Sequence, residues 1–114
     1  MSSSSVLARR YAKALLGLGL ENGGVDHLGV ELREVALAFG SSSELRAVVK
    51  NPAVPSDAKR RVLTAVLQKM KAGQTVSNFV GVLLDKKRLD LFGDIQVAYD
   101  QLAQEQSGKA SATV

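Results

Sequence analysis

The chain has 114 residues and no cysteine, and 46% of its residues are hydrophobic while 23% are charged. This length and balance are typical of one folded domain, and the lack of cysteine excludes a disulfide scaffold and thiolate metal sites. The net charge of +4 permits an acidic partner without requiring one.

The first predicted helix follows a polar lead-in at residues 1–5 and extends to Asn22. Its apolar residues recur at the helical period and fill an arc of roughly 200°, which is wider than one buried face requires. Asn22-Gly23-Gly24 is expected to end the helix, because glycine adopts the left-handed conformation of a C-terminal cap without strain.

Residues 1–20 also have features of a targeting peptide. They contain four serines, the basic residues Arg9, Arg10 and Lys13, and no acidic residue. The helical interpretation is preferred, because the same residues supply the apolar period of helix 1.

Three helices are predicted in the middle of the chain. The apolar residues of the second, about 26–39, lie within an arc of about 100°, so one buried face suffices. Ser41, with an acidic residue three positions later, has the pattern of a capping box and predicts the start of a third helix, which ends before Pro52. The fourth begins at Pro55-Ser56 and is expected to end at Gly73.

Two further amphipathic helices are predicted, from Thr75 to Lys86 and from Arg88 to Gln106, with a basic corner at Lys86-Lys87-Arg88. The apolar arc of helix 5 also reaches roughly 200°, because Val82 lies beside its main apolar stripe. Helices 1 and 5 therefore share an apolar excess that helix 2 lacks.

Together these patterns predict an all-α fold, a six-helix bundle over residues 1–106. Gly108 is expected to end the sixth helix, and residues 107–114 are expected to form a small, polar tail.

Three segments carry a resemblance to a known family. The first comprises Asn78-Phe79, Leu83-Leu84, Arg88-Leu89, Leu91-Phe92, Ile95 and Tyr99. The others are Ala8 to Leu15, reading ARRYAKAL, and Asn51-Pro52 followed by Lys59 and Val62-Leu63. In this order they resemble the N-terminal domain of the delta subunit of the F1Fo ATP synthase, which is called OSCP in mitochondria.

The resemblance implies a stator subunit that links the F1 head to the peripheral stalk and supports proton-driven ATP synthesis without catalysing it. It implies a groove between helices 1 and 5 that binds an N-terminal helix of an α subunit. It further implies that the tail at 107–114 leads to an absent C-terminal domain that contacts the b subunits. The complex would be peripheral on the cytoplasmic face of the bacterial cell membrane, with an organellar equivalent as the alternative.

Position by position, the resemblance places eight residues in this groove. They are Tyr11, Ala14, Leu15, Leu18, Asn78, Phe79, Val82 and Leu83. Val82 is the most specific candidate, because it lies off the main stripe and has the least reason to be apolar without a partner.

Ordinary structural interpretations compete with these assignments. Three of the residues fit plain core positions equally well: Leu15, Phe79 and Leu83. Asn78 fits either a hydrogen bond to a partner backbone or a solvent-facing position near the helix start. Tyr11 and Tyr99 both fit the edge of a core, with the hydroxyl in water.

The sequence gives no support for catalysis. His27 is the only histidine, and it is expected at the surface in the first turn of helix 2. Neither GxGxxG nor GxxxxGK[ST] occurs, so nucleotide binding is not expected, and the sequence predicts no cofactor and no metal.

Three basic clusters stand out: Arg9-Arg10-Lys13, Lys59-Arg60-Arg61 and Lys86-Lys87-Arg88. They fit solvated faces or contacts to an acidic protein segment. A basic helical nucleic-acid-binding domain is the alternative function, although aromatic residues that could stack on bases are only 4% of the chain. A third possibility is an enzyme accessory domain or a four-helix-type ligand module, either of which would be a closed bundle without a cleft of helix size.

Overall fold

The computed structural model of the chain describes residues 3–111, with side chains described for residues 5–107. Within that range the chain forms six α-helices and one short 3₁₀ turn, and no strand occurs. The helices are α1 Ser3–Asn22, α2 Val25–Ser41, α3 Ser43–Lys50, α4 Ser56–Lys69, α5 Gln74–Asp85 and α6 Phe92–Ser111, with the 3₁₀ turn at Leu89–Leu91. The prediction of an all-α fold with six helices is confirmed.

The chain divides into two compact units, one of Met1–Val30 with Leu91–Val114 and one of Glu31–Asp90. In the first unit α1 packs along α6. The buried hydrophobic residues of these two helices are Ala8, Ala12, Leu15, Phe92, Ile95, Tyr99 and Leu102. In the second unit α4 packs on α5. The buried residues of that pair are Leu63, Leu67, Val76, Val80, Leu83 and Leu84.

Tyr99 is the largest fully buried side chain of the first unit, and two glycines make room for it. A Cβ atom added to Gly19 would lie 3.3 Å from the Tyr99 hydroxyl oxygen, and one added to Gly29 would lie 3.3 Å from the Tyr99 ring. The hydroxyl donates a hydrogen bond of 2.6 Å to the Val25 carbonyl oxygen. The expectation that the Tyr99 hydroxyl lies in water was therefore wrong.

This environment also affects the acidity of the phenol. Burial raises the pKa of Tyr99, because the phenolate is poorly solvated there, and the nearby negative charges of Asp26 and Asp100 raise it further. The neutral phenol is thus the form that the folded first unit accommodates.

Three helices end with the same hydrogen-bonded motif, in which the residue after the cap is left-handed. That residue is Gly23 after α1 (φ 69°), Lys71 after α4 (φ 59°) and Lys87 after α5 (φ 57°). At the last of these ends the Arg88 N–H donates to the Leu83 carbonyl at 2.8 Å, which is the bond that defines a Schellman motif. The predicted end of helix 1 at Asn22-Gly23-Gly24 is confirmed.

The expectation that Gly73 ends the fourth helix was wrong. Lys71 already provides the left-handed residue after α4, and Gly73 is instead the N-cap of α5. Its N–H donates a hydrogen bond of 2.5 Å to Glu31 Oε2, so a carboxylate from α2 contacts the start of α5 within the second unit. A negative charge is favourable at this end of a helix.

Three further boundaries differ from their predictions. The N-cap of α3 is Ser42 rather than Ser41, and its hydroxyl accepts a hydrogen bond from the Leu45 N–H at 3.1 Å. α6 continues through Gly108 to Ser111, so Gly108 does not end the helix. The last part of the predicted tail, 112–114, lies outside the described residues. The predicted lead-in is likewise shorter, because α1 begins at Ser3 and residues 1 and 2 lie outside the described range.

Candidate partner-binding surfaces

The eight predicted groove residues divide equally between α1 in the first unit and α5 in the second. Each helix therefore presents a surface of its own. On both helices the predicted residues separate into a buried group and a group that solvent reaches.

α1 has two apolar stripes. The buried one contains Ala8, Ala12 and Leu15. The second, here the outer stripe of α1, contains Leu7, Tyr11, Ala14 and Leu18. At 3.6 residues per turn it is rotated by roughly 100° from the buried one.

The outer stripe of α1 is partly open to solvent. Leu7 and Tyr11 are half-buried, Ala14 is exposed, and Leu18 is 43% exposed. Leu15, in contrast, is 2% exposed and has no surface to offer a partner. Its core interpretation is the correct one.

α5 has a similar arrangement. Its buried stripe contains Val76, Val80, Leu83 and Leu84, and Leu83 is completely buried. The outer stripe of α5 contains Thr75, Phe79 and Val82, one or two turns apart and rotated by roughly 120° from the buried residues. Val82 is 42% exposed, whereas Thr75 and Phe79 are half-buried. Leu83 is therefore a core residue, and Val82 is the exposed apolar residue of the stripe, at its C-terminal end.

Asn78 lies at the border of the outer stripe of α5 and is exposed. Its side-chain oxygen accepts a hydrogen bond of 2.7 Å from Gln74 Nε2, one turn earlier in the same helix. The structure therefore has the solvent-facing arrangement near the helix start.

Exposed apolar side chains are not confined to these two helices. α2, for which one apolar face was expected, exposes Val30 at 44% and Leu37 at 71%. These two residues are seven positions apart, and the exposed Arg33 and Glu34 lie between them. The difference in exposed apolar surface between α2 and the helices α1 and α5 is therefore smaller than predicted. What distinguishes α1 and α5 is that their outer apolar stripes are continuous.

The basic clusters are partly neutralised within each unit. Arg9 lies 3.9 Å from Glu105, with both side chains about half exposed. Arg60 on α4 forms an ion pair and hydrogen bond with Asp85 at the end of α5. Exposed pairs of this kind contribute about 0–1 kcal/mol. They fix local geometry more than they add stability.

Two properties bear on other classes of function. In the part of the chain that the structure describes, no group of three or more His, Cys, Asp and Glu side chains is placed to hold a metal ion. None of the described helices is long and apolar enough to cross a membrane. His27 is exposed in the first turn of α2, as expected.

Residues 7–114 match the family model of the ATP synthase delta (OSCP) subunit. The chain belongs to the ATP synthase delta (OSCP) subunit family. Over 105 residues it is 43% identical to the ATP synthase subunit delta of Geobacter metallireducens, an alignment that covers 92% of this chain and 58% of the relative. The same subunit of Oleidesulfovibrio alaskensis is 41% identical over 108 residues, with 93% and 59% covered.

The subunit of Trichlorobacter lovleyi is 39% identical over 105 residues, with 92% of this chain and 58% of the relative covered. The chain thus spans about three fifths of the length of these curated delta subunits. The family that the three dispersed segments indicated is therefore confirmed.

Two stripe residues were missed as groove candidates, Leu7 and Thr75. Each extends an outer stripe of this delta-family chain by one turn toward the helix N-terminus. The helical period would have identified both, because each lies four positions before a predicted groove residue.

Proposed function

We propose that this chain is the part of an ATP synthase delta subunit that joins the F1 head to the peripheral stalk. Its activity is binding and not catalysis: the outer stripes of α1 and α5 bind an amphipathic N-terminal helix of an α subunit. The main support is Val82, a valine that is 42% exposed in the last turn of α5, next to the buried Leu83.

The spacing of the stripe residues suits a helical partner. An amphipathic helix presents anchors at i, i+3, i+4 and i+7, and residues on both outer stripes recur at those intervals. Ala14 lets a partner backbone approach, while Leu18 and Val82 provide apolar surface. Fully burying such a side chain is worth about 1.5–3 kcal/mol, so covering one that is already half covered contributes roughly 1 kcal/mol.

The mechanical task is to hold the α and β subunits against the torque of the central rotor. A longer delta subunit would contact the b subunits through its C-terminal part, and one chain attached at two places gains avidity without additional contacts. In this arrangement the complex is peripheral on the cytoplasmic face of the bacterial cell membrane. The delta subunit supports proton-driven ATP synthesis and catalyses no step of it.

The test is calorimetric titration of the 114-residue chain with a synthetic peptide of an α-subunit N-terminal helix. Val82→Asp places a carboxylate in the apolar contact, and we expect at least a tenfold weaker affinity, because burying an uncompensated charge is costly. Val97→Asp is the matched control, since Val97 is 52% exposed on α6 and belongs to neither outer stripe. It should leave the affinity unchanged.

Circular dichroism melts of both variants separate loss of binding from loss of the fold. The proposal is wrong if Val82→Asp binds like the unmodified chain, or if Val97→Asp weakens binding equally. Apolar binding should change little with salt, whereas a steep fall of affinity with salt would favour phosphate contacts and the nucleic-acid alternative.

A further inference from the structure

The second unit contains a cavity of about 520 Å³ that the proposed function does not use. The end of α3, the loop at 51–55, the first turn of α4 and the end of α5 form its walls. Its apolar lining is provided by Val49, Pro52, Val54, Leu84 and Leu89. This volume lies within the range of about 300–1,000 Å³ that is usual for small-molecule sites.

Three lysines from three different segments also line this cavity. Lys50 is the last residue of α3, Lys59 lies in the first turn of α4, and Lys87 follows α5. Among the described residues that line the same walls, Asp90 alone has a carboxylate, so the excess is two positive charges. Because these lysines lie in three separate segments, the sequence alone did not predict that they line one cavity.

The lysines are not neutralised by the protein itself. Among the described residues, Lys50, Lys59 and Lys87 form no ion pair, with Asp90 or with any other carboxylate. Lys59 is half-buried, whereas Lys50 and Lys87 are exposed. Three unpaired ammonium groups around one cavity attract an anion that enters it.

The basic residues next to two of these lysines, Arg60 and Lys86, do not line the cavity. Arg60, next to Lys59, forms its ion pair with Asp85, and Lys86, next to Lys87, does not line the cavity. The sequence clusters Lys59-Arg60-Arg61 and Lys86-Lys87-Arg88 are therefore not uniform solvated faces. Each contributes one lysine to the walls of the cavity.

We propose that this cavity binds a small organic anion. The phosphate or carboxylate group contacts Lys50, Lys59 and Lys87, and lysine ammonium groups bind such groups as point charges. The apolar part of the ligand packs against Val54, Leu84 and the other apolar walls. The proposal is independent of the outer stripes, because none of the stripe residues lines this cavity.

The test is a two-dimensional NMR titration of the 114-residue chain with three aromatic probes: phenyl phosphate, benzoate and phenol. Saturable shifts at the lining residues are expected with phenyl phosphate or benzoate, and the tighter of the two identifies the preferred anionic group. Phenol, which has the ring without the charge, should bind at least about fivefold more weakly. Inorganic phosphate, which has the charge without the ring, should also bind more weakly.

Charge-removing variants locate the site. Lys59→Gln and Lys87→Asn should each weaken binding of the tighter probe by about fivefold or more, and asparagine tolerates the left-handed conformation at position 87. Lys86→Gln is the matched control, because it removes the same charge one residue away from the cavity. It should leave the affinity unchanged.

Three results would overturn the proposal. One is the lack of saturable shifts at millimolar probe concentration. Another is equal weakening by Lys86→Gln, which would indicate attraction to general surface charge. The third is shifts of similar size at Arg9, Arg10 and Lys13, a basic cluster that does not line the cavity. A melt of each variant verifies that it is folded.

Discussion

Replacing Tyr99 with phenylalanine removes one hydroxyl group from the core of the first unit and leaves the ring in place. Tyr99 is 1% exposed, and its hydroxyl donates a 2.6 Å hydrogen bond to the Val25 carbonyl. A hydrogen bond of this type contributes about 0.5–1.5 kcal/mol net, and leaving a buried acceptor without a partner costs about 1–3 kcal/mol.

The Val25 carbonyl lies in the first turn of α2, where it is also positioned to accept a helical hydrogen bond. The Val25 carbonyl therefore keeps one partner in the variant, so the cost lies at the lower end of the range of about 1–3 kcal/mol for an acceptor without a partner. We expect Tyr99→Phe to reduce the free energy of unfolding by about 1–1.5 kcal/mol at pH 7. The melting temperature should fall by roughly 4–8 °C.

The difference between the two proteins should depend on pH in a definite direction. Because the pKa of Tyr99 is raised in the folded state, the unfolded chain loses this proton at lower pH than the folded chain. The stabilising contribution of Tyr99 is complete below the pKa of about 10 that its phenol has in the unfolded chain. It decreases as the pH rises toward the higher pKa of the phenol in the folded chain. Phenylalanine cannot ionise, so the stability difference should shrink above about pH 10.

The measurement is urea unfolding of both proteins at a series of pH values from neutral to strongly alkaline. Lysines and the other tyrosine titrate in both proteins and cancel in the difference, which isolates Tyr99. Equal stability at pH 7 would refute the hydrogen-bond argument. A stability difference that stays constant through the alkaline range would refute the argument from burial.

Two further substitutions test the ends of helices, each with a control one or two turns away. Gly23→Ala should reduce the free energy of unfolding by about 1–2 kcal/mol, because φ is 69° there. Gly17→Ala, inside α1, should instead increase the free energy of unfolding by up to about 1 kcal/mol. Equal effects of the two substitutions in thermal melts would contradict the cap assignment. Glu31→Ala removes the acceptor of the Gly73 N–H and should cost about 1–2 kcal/mol, whereas the exposed Glu34→Ala should cost little. If amide hydrogen exchange at the start of α5 is equally fast in both variants, Glu31 does not stabilise that end.

The helices were predictable because their signals are local. The apolar period fixed the order of six helices, Asn51-Pro52 marked the end of α3, and Pro55-Ser56 marked the start of α4. One error occurred where several residues offered similar local chemistry. Three consecutive serines at 41–43 can each accept a capping bond, and the one at 42 does so.

Contacts between residues far apart in the sequence were not predictable from the apolar period of the helices. The partner of the Tyr99 hydroxyl is 74 positions earlier in the chain, and that of the Gly73 N–H is 42 positions earlier. The width of an apolar arc likewise does not indicate which of its edges is buried. The resemblance placed Leu15 and Leu83 in the groove, but both are buried in the core, whereas Leu18 and Val82 are exposed.

Lys87 occupies a backbone conformation that glycine adopts with less strain, and its side chain lines the cavity of the second unit. Glycine at this position would relax the turn after α5 and would also delete a positive charge from the cavity wall. Thermostability and anion affinity should therefore change in opposite directions in Lys87→Gly. Selection for heat resistance alone would favour a residue that weakens the proposed anion site.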